Sequence, residues 1–308
     1  GRGNSSSGHV ALDITGMAQL HHGGIDKLTF PFGRVFGVPL RIHVLLPLVA
    51  VLDGVGAALA GNGVLGIVLA VLVSGPFLFL TVLTHELGHV FAARRCGCTP
   101  DHILLWPLGG IALIGFGALG PKEQIFVSAC GPVTHLPMML LWMGLMALAN
   151  SGSVTLSLEG MILEKDFFSV VCVAMLTNNL AMLLFNLLVP CFPLDCSQIL
   201  VSFMLLRGVE PGTAAKVLIG LSLPVLLALL IFGIVSAVAG SPSASLNVLL
   251  AFWLGMQTWS LHQARVRGEL AAYPLFASAS RVPNRQQPSA TSQQPDFSEA
   301  SVPGTFRP

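Results

Sequence analysis

Apolar residues along this chain come in long unbroken runs rather than in the short period of a soluble core. Between a polar start and a polar end, six runs read as membrane-length helices: about 42–60, 64–93, 123–149, 167–189, 213–239 and 246–261. A span needs about 20 apolar residues to cross a hydrocarbon core of about 30 Å. The first run is the weakest, because it carries Pro47 and Asp53, and the last is the shortest. Residues 1–29 are rich in Gly and Ser and read as a disordered segment. Residues 264–308, dominated by Gln, Ser, Pro and Arg, read as a disordered tail. The domain between them is 30–263. One further apolar stretch, Ile103–Gly115, is too short and too glycine-broken to be a span. The fold class expected is an all-α polytopic membrane protein of about six transmembrane helices, with this stretch as a loop at the interface.

Composition strengthens that reading. Of 308 residues, 54% are hydrophobic and 9% charged, against about 25% charged in an average soluble domain. The net charge of +1 gives no footing for a nucleic-acid partner; the expected surroundings are a lipid bilayer. The six cysteines show no disulfide spacing, and free thiols are the preferred reading, including for Cys96 and Cys98. With the N-terminus on a cytoplasm-like side, every Lys and Arg except Lys165 falls on that side. This satisfies the positive-inside bias and returns the C-terminus to the same side through an even number of spans.

Inside the second run stands His85-Glu86-Leu87-Gly88-His89. Residues i and i+4 share a helix face, so His85 and His89 can offer ligands to one metal ion. Glu86 beside them can serve as a general base. Such strings arise by chance in soluble helices. Inside a membrane, an ionisable residue costs about 2.5–3.5 kcal/mol on insertion scales, so three in five residues call for a function. His85 precedes Arg94 by nine residues, which at 1.5 Å per residue is ~13 Å from the inner surface.

A catalytic zinc takes three protein ligands and leaves a position open. Most acids after the motif fall in loops, on the outer side or in the tail. Asp195 lies at the inner end of the fourth run, in Pro190-Cys191-Phe192-Pro193-Leu194-Asp195-Cys196, at the depth and on the side that His85 requires. The competing reading of Asp195 is an N-cap for the helix that follows.

With Pro107-Leu108-Gly109-Gly110, Ala129-Cys130-Gly131-Pro132 and Asn186 through Asp195 added to the motif, the chain resembles the site-2 protease family of intramembrane zinc metalloproteases. It is most similar to the compact sporulation-factor-processing branch, which lacks a PDZ domain. The resemblance covers roughly residues 30–205. It departs from the family pattern where Cys196 replaces a glycine, where Val189 lengthens the Asn-to-Asp spacing, and where His135 stands near a usual Asn.

The resemblance implies a zinc endopeptidase acting on a transmembrane segment of another protein. In it, His85, His89 and Asp195 hold one Zn²⁺ and Glu86 is the catalytic base. Gly109 and Gly110 belong to a membrane-dipping β-hairpin whose edge receives an extended substrate, and Asn186 contacts substrate backbone. His135 is open between a buried structural group, a group behind the metal ligands and a substrate contact. Two other classes compete: a metal transporter or sensor using the same histidines, and an inactive scaffold that binds transmembrane clients. A transporter would want ligands at several depths. A scaffold would have no use for Glu86.

Overall fold

The computed structural model describes residues 28–106, 109–114, 119–149, 167–238 and 244–277. Pro107, Leu108, Lys165 and the acids beside it lie outside the described residues, as do the segment before Leu28 and the chain after Ala277.

The chain enters through two strands, β1 (Thr29–Val35) and β2 (Val38–His43). Their tight turn needs left-handed backbone, with Phe36 at φ 48° and Gly37 at φ 79°. α1 (Leu45–Leu59) follows, then α2 (Gly63–Leu72), antiparallel across a turn in which Gly61 and Gly63 take positive φ. α2 runs through a π-helical turn, Val73–Phe77, into α3 (Leu78–Arg95). Pro76 sits in that turn, and the wider π geometry accommodates the hydrogen bond and the space that proline denies an α-helix.

Next come β3 (Pro100–Trp106) and β4 (Gly109–Ile114). The four strands form one sheet in the order β1-β2-β3-β4, with β2 and β3 parallel and the other pairs antiparallel. β1 and β4 are the edges. Leu40, Ile42, Ile103 and Leu105 alternate along β2 and β3 and bury against Leu46, Val82, Leu83 and Val90 of α1 and α3. That cluster fixes the sheet beside the motif helix.

The remaining helices are α4 (Pro121–Val133), α5 (His135–Ala149), α6 (Phe167–Leu188), α7 (Asp195–Leu206), α8 (Pro211–Val238) and α9 (Ala244–Arg267). A 3₁₀ turn, Leu270–Ala272, and a short helix α10 (Pro274–Ala277) close the described chain. α4 and α5 meet at Thr134, next to Pro132, and together form one long apolar rod.

Four helical rods are long and apolar enough to cross a membrane: Gly63–Arg95, Pro121–Ala149, Phe167–Leu188 and Pro211–Ser236. They correspond to the second through fifth predicted spans. The outward faces are strongly apolar; Leu223, Leu227, Ile231, Phe232 and Val235 of α8 are all exposed, which suits lipid rather than water. The first predicted span is shorter than expected. Its start is drawn into β2, and α1 keeps only 15 residues, about 22 Å of helix. The last predicted span lies in α9, where Asn247, Gln257, His262 and Gln263 dilute the apolar run. The protein is mostly helical as expected, but the β content exceeds the single hairpin or loop expected beside the helices: the sheet has four strands, and two of them precede the first helix.

The polar tail begins later than residue 264. Leu270, Tyr273, Leu275 and Phe276 are buried against Val201 and Leu205 of α7, Ala214, Ala215 and Leu218 of α8, and Leu261 and Ala264 of α9. The Tyr273 hydroxyl is 2.9 Å from Ser260 Oγ. A few spaced apolar residues suffice to fold this piece back because each meets a preformed groove.

Candidate metal centre

α3 carries the motif with its polar residues turned inward. His85, Glu86 and His89 are all buried. The helix can bury them because its neighbour α4 comes very close. A Cβ at Gly88 would lie 2.5 Å from the Cys130 carbonyl oxygen and 2.7 Å from Thr134 Cγ2.

α7 delivers the third group. Leu194 precedes the helix in extended backbone and Asp195 is its first residue, with no side-chain cap bond at that end. The N-cap role is therefore not the one Asp195 plays. Its carboxylate turns to the histidines instead: Oδ2 is 3.2 Å from His85 Nε2, and Oδ1 is 3.4 Å from His89 Nε2. The two Nε2 atoms are 3.1 Å apart. Gln198, one turn on, fixes the rotation of α7 by meeting Gln124 Nε2 of α4 at 2.7 Å and Ser128 Oγ at 3.3 Å.

The three side chains fit a cation. A tetrahedron with metal–nitrogen and metal–oxygen bonds of about 2.0–2.1 Å has edges of about 3.3 Å; the two Nε2 atoms are 3.1 Å apart, and each has one Asp195 oxygen at 3.2 or 3.4 Å. His89 Nδ1 is 2.8 Å from the Val127 carbonyl oxygen. A carbonyl can only accept, so Nδ1 carries the proton and the neutral ring aims its Nε2 lone pair at Asp195 and His85. Asp195 Oδ2 is buried without an ordinary hydrogen bond, although it lies close to His85. Lone pairs facing one another in a buried space repel unless a positive charge sits between them. Gly131 of α4 keeps that space open. A Cβ there would stand 2.9 Å from His85 Nε2 and closer still to His89 Nε2. Among the described residues, His85, His89 and Asp195 are the one group of this kind that could hold a metal ion.

Glu86 faces the sheet. A Cβ on Gly110 would overlap its carboxylate, so only glycine lets β4 approach this closely. Among the described residues β4 is an edge strand, and it runs past the Glu86 carboxylate beside the His85, His89 and Asp195 group, with Gly109 at φ 142° where the strand begins. Cys196 adjoins Asp195, and burial together with the Asp195 carboxylate pushes its thiol up.

His135 stands behind the ligands. It is fully buried, and its Nε2 is 3.0 Å from His85 Nδ1. Its Nδ1 is 2.9 Å from Asn179 Oδ1. The sequence singles out His135; a buried Asn such as Asn179 in an apolar helix reads by default only as helix–helix glue. The cue for Asn179 was its position in an otherwise apolar helix, a cue shared by Asn178. Asn186 donates from Nδ2 to the Met182 carbonyl of its own helix at 3.0 Å.

Known proteins resemble this chain in the same region. Residues 76–152 match the model for Peptidase family M50. That segment contains His85, Glu86, His89, Gly110, Gly131 and His135, but ends well before Asp195. A putative zinc metalloprotease of Mycobacterium tuberculosis, Rip3, is 28% identical over 262 residues, 80% of this chain and 61% of the relative. A zinc metalloprotease of Methanocaldococcus jannaschii is 29% identical over 205 residues, 66% of this chain and 53% of that one. The chain thus spans between half and two thirds of the length of these relatives. The solved site-2 protease from Methanocaldococcus jannaschii aligns with 91% of this chain and all of its own, at TM-score 0.47 and 18% identity.

Proposed function

We propose that this chain is a zinc-dependent intramembrane endopeptidase of the site-2 protease type, cutting a transmembrane segment of another membrane protein. The single observation that carries the reading is the convergence of His85, His89 and Asp195 from two helices, with Glu86 between them and the edge of β4. The names of the relatives, zinc metalloproteases, agree with it.

His85 Nε2, His89 Nε2 and an Asp195 oxygen would hold the zinc. When bound, zinc supplies Lewis-acid activation of water and of a scissile carbonyl. The residues of the chain do the rest. Glu86 takes the proton of the attacking water on its carboxylate and returns it to the leaving amine nitrogen. Burial of all four side chains excludes bulk water and strengthens each charge interaction there. An extended substrate backbone pairs along the β4 edge near Gly109 and Gly110, an arrangement that supplies main-chain hydrogen bonds irrespective of sequence. Such a substrate must first unwind from helix, since helical backbone groups are already paired. Asn186 provides a further contact to substrate backbone.

Six membrane crossings, with α1 and α9 as the first and last and both termini on the cytoplasm-like side, complete the reading. The distribution of Lys and Arg supports it.

The test is reconstitution of the chain in lipid vesicles with single-span substrates, with and without a zinc chelator, alongside Glu86→Gln. Cleavage should require zinc and fall by about 10²–10⁴-fold in the variant, the usual worth of a general base. Cleavage unaffected by both treatments would sink the proposal.

A further inference from the structure

Two metal-binding histidines one helical turn apart receive their orientation in different ways. His89 leans on a backbone carbonyl, which no substitution can remove. His85 leans on a side chain, and that side chain on another. The order of the links is fixed from the far end. Asn179 Nδ2 donates to the Met175 carbonyl at 2.8 Å, which leaves Oδ1 as the amide atom turned to His135. An amide oxygen only accepts, so His135 Nδ1 must carry the proton. His135 Nε2, then bare, accepts from His85 Nδ1–H. That hydrogen bond leaves His85 Nε2 without a proton, its lone pair aimed at Asp195 and His89.

We propose that Asn179 and His135 are positioning residues forming a two-link relay that selects the His85 tautomer able to bind metal. The proposal rests on the zinc reading above and adds to it how one ligand is held. The usual partner behind a metal-bound histidine is a carboxylate, a backbone carbonyl or water. Here it is a neutral imidazole, itself oriented by a neutral amide, so the relay orients His85 without adding negative charge to the centre. Both residues are fully buried, at the junction of α3, α5 and α6. The relay also ties α6 to the metal helix. A rotation of α6 that withdrew Asn179 would free His135 to flip its tautomer and place a proton against His85 Nδ1.

The test compares His135→Gln with His135→Leu in the full chain in detergent, by zinc affinity in competition with a chromophoric chelator and by the visible spectrum of the cobalt(II) form. A Gln side chain can accept from His85 and donate towards Asn179, whereas Leu fills the space and does neither. Zinc affinity should stay within a few-fold of the parent for Gln. It should fall about 10–100-fold for Leu, the usual effect of losing such a partner, with an altered cobalt spectrum. Asn179→Leu, which leaves His135 in place, should also weaken zinc and provides the answer if His135→Leu does not fold. Parent-like affinity in His135→Leu or Asn179→Leu overturns the relay, as does an equal loss in His135→Gln and His135→Leu. If the parent chain itself binds no zinc, the proposed function falls with it, which distinguishes that failure from failure of the relay alone.

Discussion

Two halves of the molecule meet on α7 and are built by opposite rules. On the metal side, α3, α4 and α7 approach through glycines and polar groups. Gly88 and Gly131 allow contact that a Cβ would block, and Gln124, Ser128 and Gln198 bond across the gap. On the far side, α7, α8, α9 and the returning chain pack through Val201, Leu205, Leu218, Leu261, Tyr273, Leu275 and Phe276 with few polar contacts. The difference separates two tasks. The apolar cluster holds the axis of α7 through non-directional burial. The polar side sets its rotation, because hydrogen bonds depend steeply on direction. Asp195 needs both, since its oxygens stand 3.2 and 3.4 Å from the histidine Nε2 atoms, an approach that a small rotation or shift of α7 would lose.

The division can be broken from either side. The largest effect is expected from Asp195→Asn. Zinc affinity should fall by more than the about 10–100-fold of an outer partner, while the thermal unfolding of the metal-free chain stays close to that of the parent. Unaltered zinc content would return Asp195 to a structural role. On the far side, Phe276→Ala should cost about 3–5 kcal/mol of stability, the range for a buried Phe. It should leave zinc affinity unchanged wherever the chain is folded, as read by denaturation monitored beside zinc competition. Loss of zinc without loss of stability would mean that the two tasks are not separate.

Gly110→Ala addresses the third party, β4. Its Cβ must displace the Glu86 carboxylate or the strand. Peptidase activity should drop by about 10²-fold, the lower end for a misplaced base, with zinc retained, as metal analysis beside the cleavage assay would report. The smallest effect is expected for Tyr273→Phe, which removes the bond to Ser260 and keeps the packing. It should cost about 0.5–1.5 kcal/mol with no change in zinc or activity, and a larger loss of activity than of stability would assign the returning chain a role at the centre.

The pattern of ionisable residues in apolar sequence made half of this legible. His85, Glu86 and His89 sit in a run where charge is expensive, and Asp195 survived elimination by depth and side. Gly110 was reached through its dipeptide, but its reason, the closeness of Glu86, is a tertiary contact that sequence spacing does not express. The parallel pairing of β2 with β3 joins residues about sixty positions apart and carries no local signal, so a loop or hairpin at Ile103–Gly115 was legible but its union with β1 and β2 in one four-stranded sheet was not. Asn179 looked like helix glue because a buried Asn has that role by default; its partner His135 lies 44 residues away. The fold-back at Leu270–Phe276 escaped because its apolar residues have no period long enough to read.

Zinc K-edge X-ray absorption on the purified, zinc-loaded chain reads the ligand set of His85, His89 and Asp195 directly. A first shell of nitrogen and oxygen at about 2.0–2.1 Å without sulfur, lost in Asp195→Asn, is the predicted result. A sulfur scatterer at about 2.3 Å, which would bring Cys196 into the shell, or a chain that retains no zinc, would contradict it.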